Sequence, residues 1–359
     1  MNGSSDDWVA AFVQQQVDER RTPGAVWIVS DRQRVISSGA VGSLSYDADA
    51  PPARQDSLYD LASLTKPLCT AFLLVEFEQR GLLSLEQAAI RWLPELAGSP
   101  FESVRLIDLA THRAGFPAWR PLYLEGDGVD GALRAIAKSE PETPGAVLYS
   151  DLGYLCLGWI LERVASESLD ELFEKRVRRP LGLGRIGFAS QLDSSEAAPT
   201  EEGNLFERRL AGESGASYGW REERIQGAVH DGNAFALGGV AGHAGLFGEA
   251  SAVSEIGFEM LDPQSFDWGD EARERFLRAS PSGGERSVGL VYASASSAAR
   301  GVLPDDAPGH VGFTGTSVWI EPLRGRLYVL LTNRVHPSVS DQDFQPLRAE
   351  FHRLAATLP

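Results

Sequence analysis

Apolar positions along this chain recur first at helical spacing, then in short strand-like runs, then at helical spacing again. Trp8, Val9, Phe12, Val13 and Val17 fall on one face of a helix predicted over residues 6–19. The runs 25–29 and 35–41 flank a polar turn and predict paired strands. Similar runs at 287–292, 316–320 and 327–331 precede a final predicted helix at 345–356. Between these ends the pattern is helical. Residues 63–80 open with Ser63 as cap, carry Pro67 in the first turn and stop at Gly81. Leu68, Phe72, Leu73, Leu74, Val75 and Phe77 make that helix apolar nearly all round, so it should be buried. Helices are also predicted at 152–165 and at 169–178, the latter ended by Pro180. Residues 191–226 are polar, acidic and glycine-containing, and predict a surface excursion or lid.

Strands at both ends with helices between them predict an α+β fold: an antiparallel sheet formed by both chain ends, flanked by helices, with a mainly helical insertion. The expected organisation is a single domain over 1–359. Its α/β part covers about 1–60 and 285–359, and its helical part about 61–284.

Composition narrows the partners. Thirty-three basic and 50 acidic residues give a net charge of −17, which argues against nucleic acid or an anionic membrane surface. No apolar run approaches the ~20 residues that span a bilayer. The N-terminus lacks a basic and apolar leader pattern, so a cytoplasmic location is expected. Cys69 and Cys156 lie in apolar helical stretches and read as buried small hydrophobes rather than as a disulfide or metal site.

Three segments carry candidate chemistry. The chain has only three lysines, and Lys66 follows Ser63 by three residues, which places an amine and a hydroxyl on one helix face. A serine becomes a nucleophile when a neighbouring base takes its proton. The positive end of a helix should lower the pKa of Lys66 and favour that role. In the second segment, Tyr149 precedes a helix that Ser150 or Asp151 could cap; a phenol near an ammonium can pass a proton in either direction. The third, from Gly309 to Ser317, is glycine-rich and leads into a strand whose backbone could hold a substrate amide.

Taken in order, Ser63-x-x-Lys66, Tyr149-x-Asp151 and His310-x-Gly312 resemble the three-motif active site of class C-type β-lactamases, DD-peptidases and their esterase relatives. The likeness runs from about residue 6 to the last helix and includes Thr111-His112 and the glycine-rich stretch 238–247. It implies Ser63 as acylated nucleophile, with Lys66 and Tyr149 sharing general base and acid roles. The N–H groups of Ser63 and Phe313 would form the oxyanion hole, and Asp151, His310, Gly312 and Thr314 would contact substrate. No metal and no cofactor are expected.

Two positions depart from the family pattern. Asp151 stands where Asn is usual, and its carboxylate should keep Lys66 charged, leaving Tyr149 more of the proton transfer; it could also hold a substrate amine. His310 stands where Lys is common and is mostly neutral at pH 7. Carboxylate anchoring should therefore weaken, with poor β-lactam turnover. Of the other histidines, His112 reads as a packing residue, His336 as a loop residue and His352 as exposed on the last helix. His230 and His243 read as loop residues near the site. The expected function is a serine hydrolase cleaving an ester or amide. The alternatives are a muropeptide amidase or D-amino-acid peptidase, and, from another class, a non-catalytic binding relative.

Overall fold

The computed structural model describes residues 5–126, 128–143, 146–279 and 284–359; the leader reading rests partly on residues 1–4, outside this set. In chain order the strands are β1 (Gly24–Asp31), β2 (Val35–Gly42), β3 (Tyr59–Asp60), β4 (Ile186–Phe188), β5 (Leu246–Gly248), β6 (Val291–Tyr292), β7 (Pro308–Val311), β8 (Ser317–Glu321) and β9 (Arg326–Thr332). Six of them form one antiparallel sheet in the order β2-β1-β9-β8-β7-β6. The first strand pairs with the last, Trp27 opposite Leu330, so both chain ends build one sheet as the strand pattern predicts.

Alternation sorts the side chains between two cores. Ala25, Trp27, Val29, Trp319, Tyr328 and Leu330 pack with residues of the helices Ser5–Asp18 and Gln345–Ala356. Val26, Ile28, Val318, Ile320, Val329 and Leu331 join the larger core, which holds the helix Ala250–Leu261 and the inserted region. Each large apolar side chain buried this way contributes about 1.5–3 kcal/mol. A slip of one residue would exchange the two faces, so the register is strongly fixed. Gly39 is required where Trp27 crosses β2, because a Cβ there would meet the indole at 2.3 Å.

A second sheet, β3-β5-β4, lies within the insertion. It extends into the segment after β3, where Leu61 N–H donates to Leu246 O at 2.9 Å. Among the described residues, no helix is long and apolar enough to cross a membrane.

Several elements differ from the sequence prediction. The 63–80 helix is three pieces: a 3-10 turn at Ala62–Leu64, a π turn at Lys66–Ala71 and an α-helix at Phe72–Gln79. Pro67 withholds an N–H inside the second piece, and π turns often occur at functional sites. The predicted helix over 169–178 likewise changes from α at Leu169–Phe173 to π at Glu174–Arg178. The strand expected over 287–292 shortens to Val291–Tyr292. Gly289 (φ +84°) turns the chain where a Cβ would lie 2.6 Å from the Ala71 methyl.

His352 is the clearest correction: it is fully buried rather than exposed. Arg348 and His352 are one turn apart on the helix face that covers the sheet. That face meets polar partners there: Ser317 Oγ lies 3.2 Å from His352 Nε2, and Arg348 donates to the carbonyls of Gly312 and Thr316. Cys69 and Cys156 are buried and free, as expected.

Candidate active site

Asp60, at the end of β3, organises the segment that carries Ser63. Its Oδ1 accepts from Ala62 N–H at 2.8 Å and its Oδ2 from His230 N–H at 2.7 Å. Asp60 thus does the capping expected of Ser63, whose hydroxyl stays available. Leu64 N–H is taken by Leu61 O. Ala62 adopts φ +48°, a left-handed conformation strained for a residue with a Cβ and tolerated at sites the surrounding structure over-determines.

The Lys66 ammonium is fully buried and meets three oxygens: Ser63 Oγ at 2.8 Å, His243 O at 3.1 Å and Asp151 Oδ1 at 2.7 Å. Ser63 Oγ and His243 O accept hydrogen bonds from the ammonium, and Asp151 pairs with it by charge. Burial alone would lower the Lys66 pKa, but Asp151 and Tyr149 outweigh it and hold the pKa above its ordinary value. The lowering expected from a helix end is therefore overturned. Tyr149 stays a neutral phenol: burial raises its pKa further than Lys66, 5.0 Å from its ring centroid, can lower it.

His112 packs beneath Tyr149 with ring centroids 4.6 Å apart, and its Nδ1 accepts from Ser150 N–H at 3.0 Å. That bond fixes the chain where Tyr149 leads into the helix Asp151–Ala165. Neither Ser150 nor Asp151 caps this helix through its side chain; Ser150 Oγ donates to Pro117 O instead. Burial, with Lys66 and Arg286 nearby, pushes the pKa values of His112 and His310 well below the usual range, so both rings are neutral.

The third segment is tied to the residues just before Ser63 through two hydroxyls. Thr314 Oγ1 donates to Asp60 O at 2.7 Å and Thr316 Oγ1 to Leu61 O at 3.1 Å. Thr314 is buried by this contact and lines neither cavity described below. Gly312 lets the two segments approach: a Cβ there would lie 2.1 Å from Thr316 Oγ1 and 2.6 Å from Leu61 O. The turn bonds from Gly312 N–H and Gly315 N–H leave Phe313 N–H without a hydrogen bond among the described residues.

Ser63, Tyr149 and Phe313 stand between two cavities of opposite charge. One, of about 250 Å³, is lined by Asp60, Asp151, Glu207 and Asp231, with His230 and His243, and among the described residues by no lysine or arginine. The other, of about 360 Å³, is lined by Arg286, Arg334, Arg348 and His310 and, among the described residues, by no carboxylate. The 191–226 excursion contributes to the first through its helix Leu205–Ala211, which supplies Phe206, Glu207 and Leu210. The structure thus groups Ser63, Lys66, Tyr149, Asp151, His310, Gly312 and Phe313. Asp60, Glu207, Asp231 and the arginines belong to no motif in the sequence. Only Thr111-His112 among the supporting segments pointed to a residue beneath Tyr149.

Comparison with known proteins places this arrangement among serine hydrolases of the β-lactamase and penicillin-binding-protein fold. The chain belongs to the Beta-lactamase family, whose model matches residues 9–352. A protein of Escherichia coli (strain K12), provisionally named a D-alanyl-D-alanine carboxypeptidase, is 30% identical over 95% of this chain and 84% of its own length. Among solved structures, "EstCE1, a hydrolase with promiscuous acyltransferase activity" superposes with a TM-score of 0.74 at 20% identity, covering 98% of both chains. A class C beta lactamase from Rhodobacter sphaeroides gives 0.72 at 20% identity, covering 98% of this chain and 99% of its own. At that identity the two structures support the fold alone.

Proposed function

We propose that the protein cleaves an ester or amide bond of a small molecule through an acyl-enzyme on Ser63. The observation that carries this reading is the 2.8 Å contact of Ser63 Oγ with Lys66 Nζ at the meeting point of the two cavities. In the resting state Lys66 is charged and Tyr149 neutral, so the pair must first release one proton. Tyr149 then acts as a phenolate steadied by the Lys66 ammonium. It takes the Ser63 proton as Oγ attacks the carbonyl carbon, and the carbonyl electron pair moves onto an oxygen facing the N–H groups of Ser63 and Phe313. Collapse expels the alcohol or amine, which receives the proton from Tyr149. Water repeats the sequence, releases the acid and restores the Ser63 hydroxyl.

A second reading concerns the leaving group. His310 is neutral, which was the ground for expecting weak carboxylate binding and poor β-lactam turnover. Arg286, Arg334 and Arg348 supply cationic charge to the same cavity and remove that ground. We infer that the leaving group carries a carboxylate, a reading the carboxypeptidase name of the Escherichia coli relative also favours.

A fluorophosphonate probe should label wild-type protein on Ser63 and leave Ser63→Ala unlabelled. Absence of an adduct would make the chain a binding relative rather than an enzyme. Turnover of p-nitrophenyl butyrate, a muramyl-L-alanine peptide, nitrocefin and a peptide with either a free or an amidated C-terminus then sorts the substrate classes. Equal kcat/KM for the free and amidated peptides would remove the carboxylate reading.

A further inference from the structure

The carboxylates of the acidic cavity accept no proton in the steps described above, yet the cavity begins at Ser63. Resting on the acyl-enzyme reading, we propose that it is a binding site for a free primary amine on the acyl side of the scissile bond, so that the substrate is an unblocked aminoacyl compound.

Asp151 is the inner contact. Its Oδ1 is held by Lys66, while the side chain remains 19% exposed and lines the cavity. That oxygen pairs with Lys66 by charge and receives no hydrogen bond among the described residues. An asparagine at this position would present N–H donors to the cavity, whereas a carboxylate oxygen accepts. Replacing the donor by a charged acceptor penalises a blocked, N-acylated substrate and favours one that presents an ammonium.

Glu207 is the outer contact and an independent observation. It is 5% exposed, and its Oε1 is occupied by Gly232 N–H, but its Oε2 has no hydrogen-bond partner among the described residues. Burial and the neighbouring Asp231 push the Glu207 pKa up to about 7, so a cation reaching this oxygen would draw the group to its charged form. Asp231 adds a third carboxylate, whose Oδ1 accepts from Ala234 N–H and lies 2.9 Å from His243 Nε2. Trp119, Phe206 and Phe313 form aromatic walls, and ring faces also attract an ammonium.

The polarity of a peptide bond matches the two cavities. Its carbonyl side leads toward an N-terminal ammonium and its nitrogen side toward a C-terminal carboxylate. A short zwitterionic peptide would therefore place its ammonium among the carboxylates and its carboxylate among the arginines. Cleavage adds one water across the amide bond and yields a free amino acid or short peptide on each side.

The test compares alanyl p-nitroanilide with N-acetylalanyl p-nitroanilide, in both enantiomers, using the full chain. The free-amine substrate should be preferred at least about tenfold in kcat/KM, in a ratio independent of the fraction of folded enzyme. Asp151→Asn should reverse the preference by restoring a donor, and Glu207→Gln should weaken it several-fold through KM. In wild-type protein, alaninamide should slow fluorophosphonate labelling of Ser63, whereas N-acetylalaninamide should not. Equal turnover and equal protection by blocked and unblocked compounds, with Ser63 labelled normally, would overturn the amine site alone. A preference that Asp151→Asn leaves unchanged would also overturn it. Failure of Ser63 to label would overturn the acyl-enzyme reading and this inference with it.

Discussion

Replacing Asp151 with asparagine should move the pH dependence of the enzyme in a calculable direction. In the wild type, kcat/KM for a substrate without an amine, such as p-nitrophenyl butyrate, should rise with pH, because the Lys66–Tyr149 pair must lose a proton to become a base. A carboxylate beside an ammonium favours the charged form, and here the two charges are 2.7 Å apart. Their attraction is about 6 kcal/mol at an effective dielectric of 20 and about 1.5 kcal/mol at that of water. The buried lysine and partly exposed aspartate place the pair between these limits. Even the smaller figure multiplies the one-proton-short form at pH 7 by about tenfold. The rising limb of Asp151→Asn should therefore lie at lower pH than that of the wild type. Its plateau should be lower, because a less basic pair is a weaker proton acceptor. Initial rates between pH 5 and 10, with Ser63→Ala subtracted as background, measure both. A limb that stays in place would mean that Lys66 is not part of the group that must deprotonate.

Two further substitutions probe the scaffold. Gly312→Ala should lower kcat/KM by about 10²-fold, the scale of a reacting group misplaced by an ångström, because its Cβ meets the Leu61 carbonyl at 2.6 Å; a loss of less than threefold would show that the segments can part freely. His352 is held neutral in the fold, where burial and Arg348 lower its pKa to about 3. The unfolded chain protonates it near 6.5, so stability from this group is present above that pH and is lost as pH falls toward 3. At pH 5 the loss is about 2 kcal/mol, from roughly 1.4 kcal/mol per pH unit. Urea denaturation at pH 7 and pH 5 should show a smaller acid loss for His352→Gln than for wild type, and equal losses would remove His352 from the balance.

The parts of the fold legible in the sequence are those encoded over short distances. The alternation at 25–29 and 35–41 predicts the paired strands, and Ser63-x-x-Lys66 predicts a contact made within one turn. Arg348 and His352 were not legible, because polar residues four apart look exposed until the carbonyls of Gly312 and Thr316 are known to lie beneath them. The π turn was hidden because Pro67 fits the first turn of an ordinary helix equally well. The charge of the two cavities was hidden for a different reason. Asp151, Glu207 and Asp231, like Arg286, Arg334 and Arg348, come from separate segments that no local spacing relates. His310 alone therefore does not reveal the arginines that share its cavity.

Asp60 joins regions far apart in the chain: the turn at Ala62, the loop at His230 and the third segment at Thr314. Under the proposed mechanism, contacts separated by 170 and 254 residues must close before the Ser63 turn meets the segment that carries Phe313. Such long-range closures come slowly in folding. A chain with its helices formed but its last strands undocked would hold an unreactive serine. Reactivity toward a fluorophosphonate therefore works as a clock for refolding, reporting when β7 and β8 reach the nucleophile turn rather than when secondary structure appears.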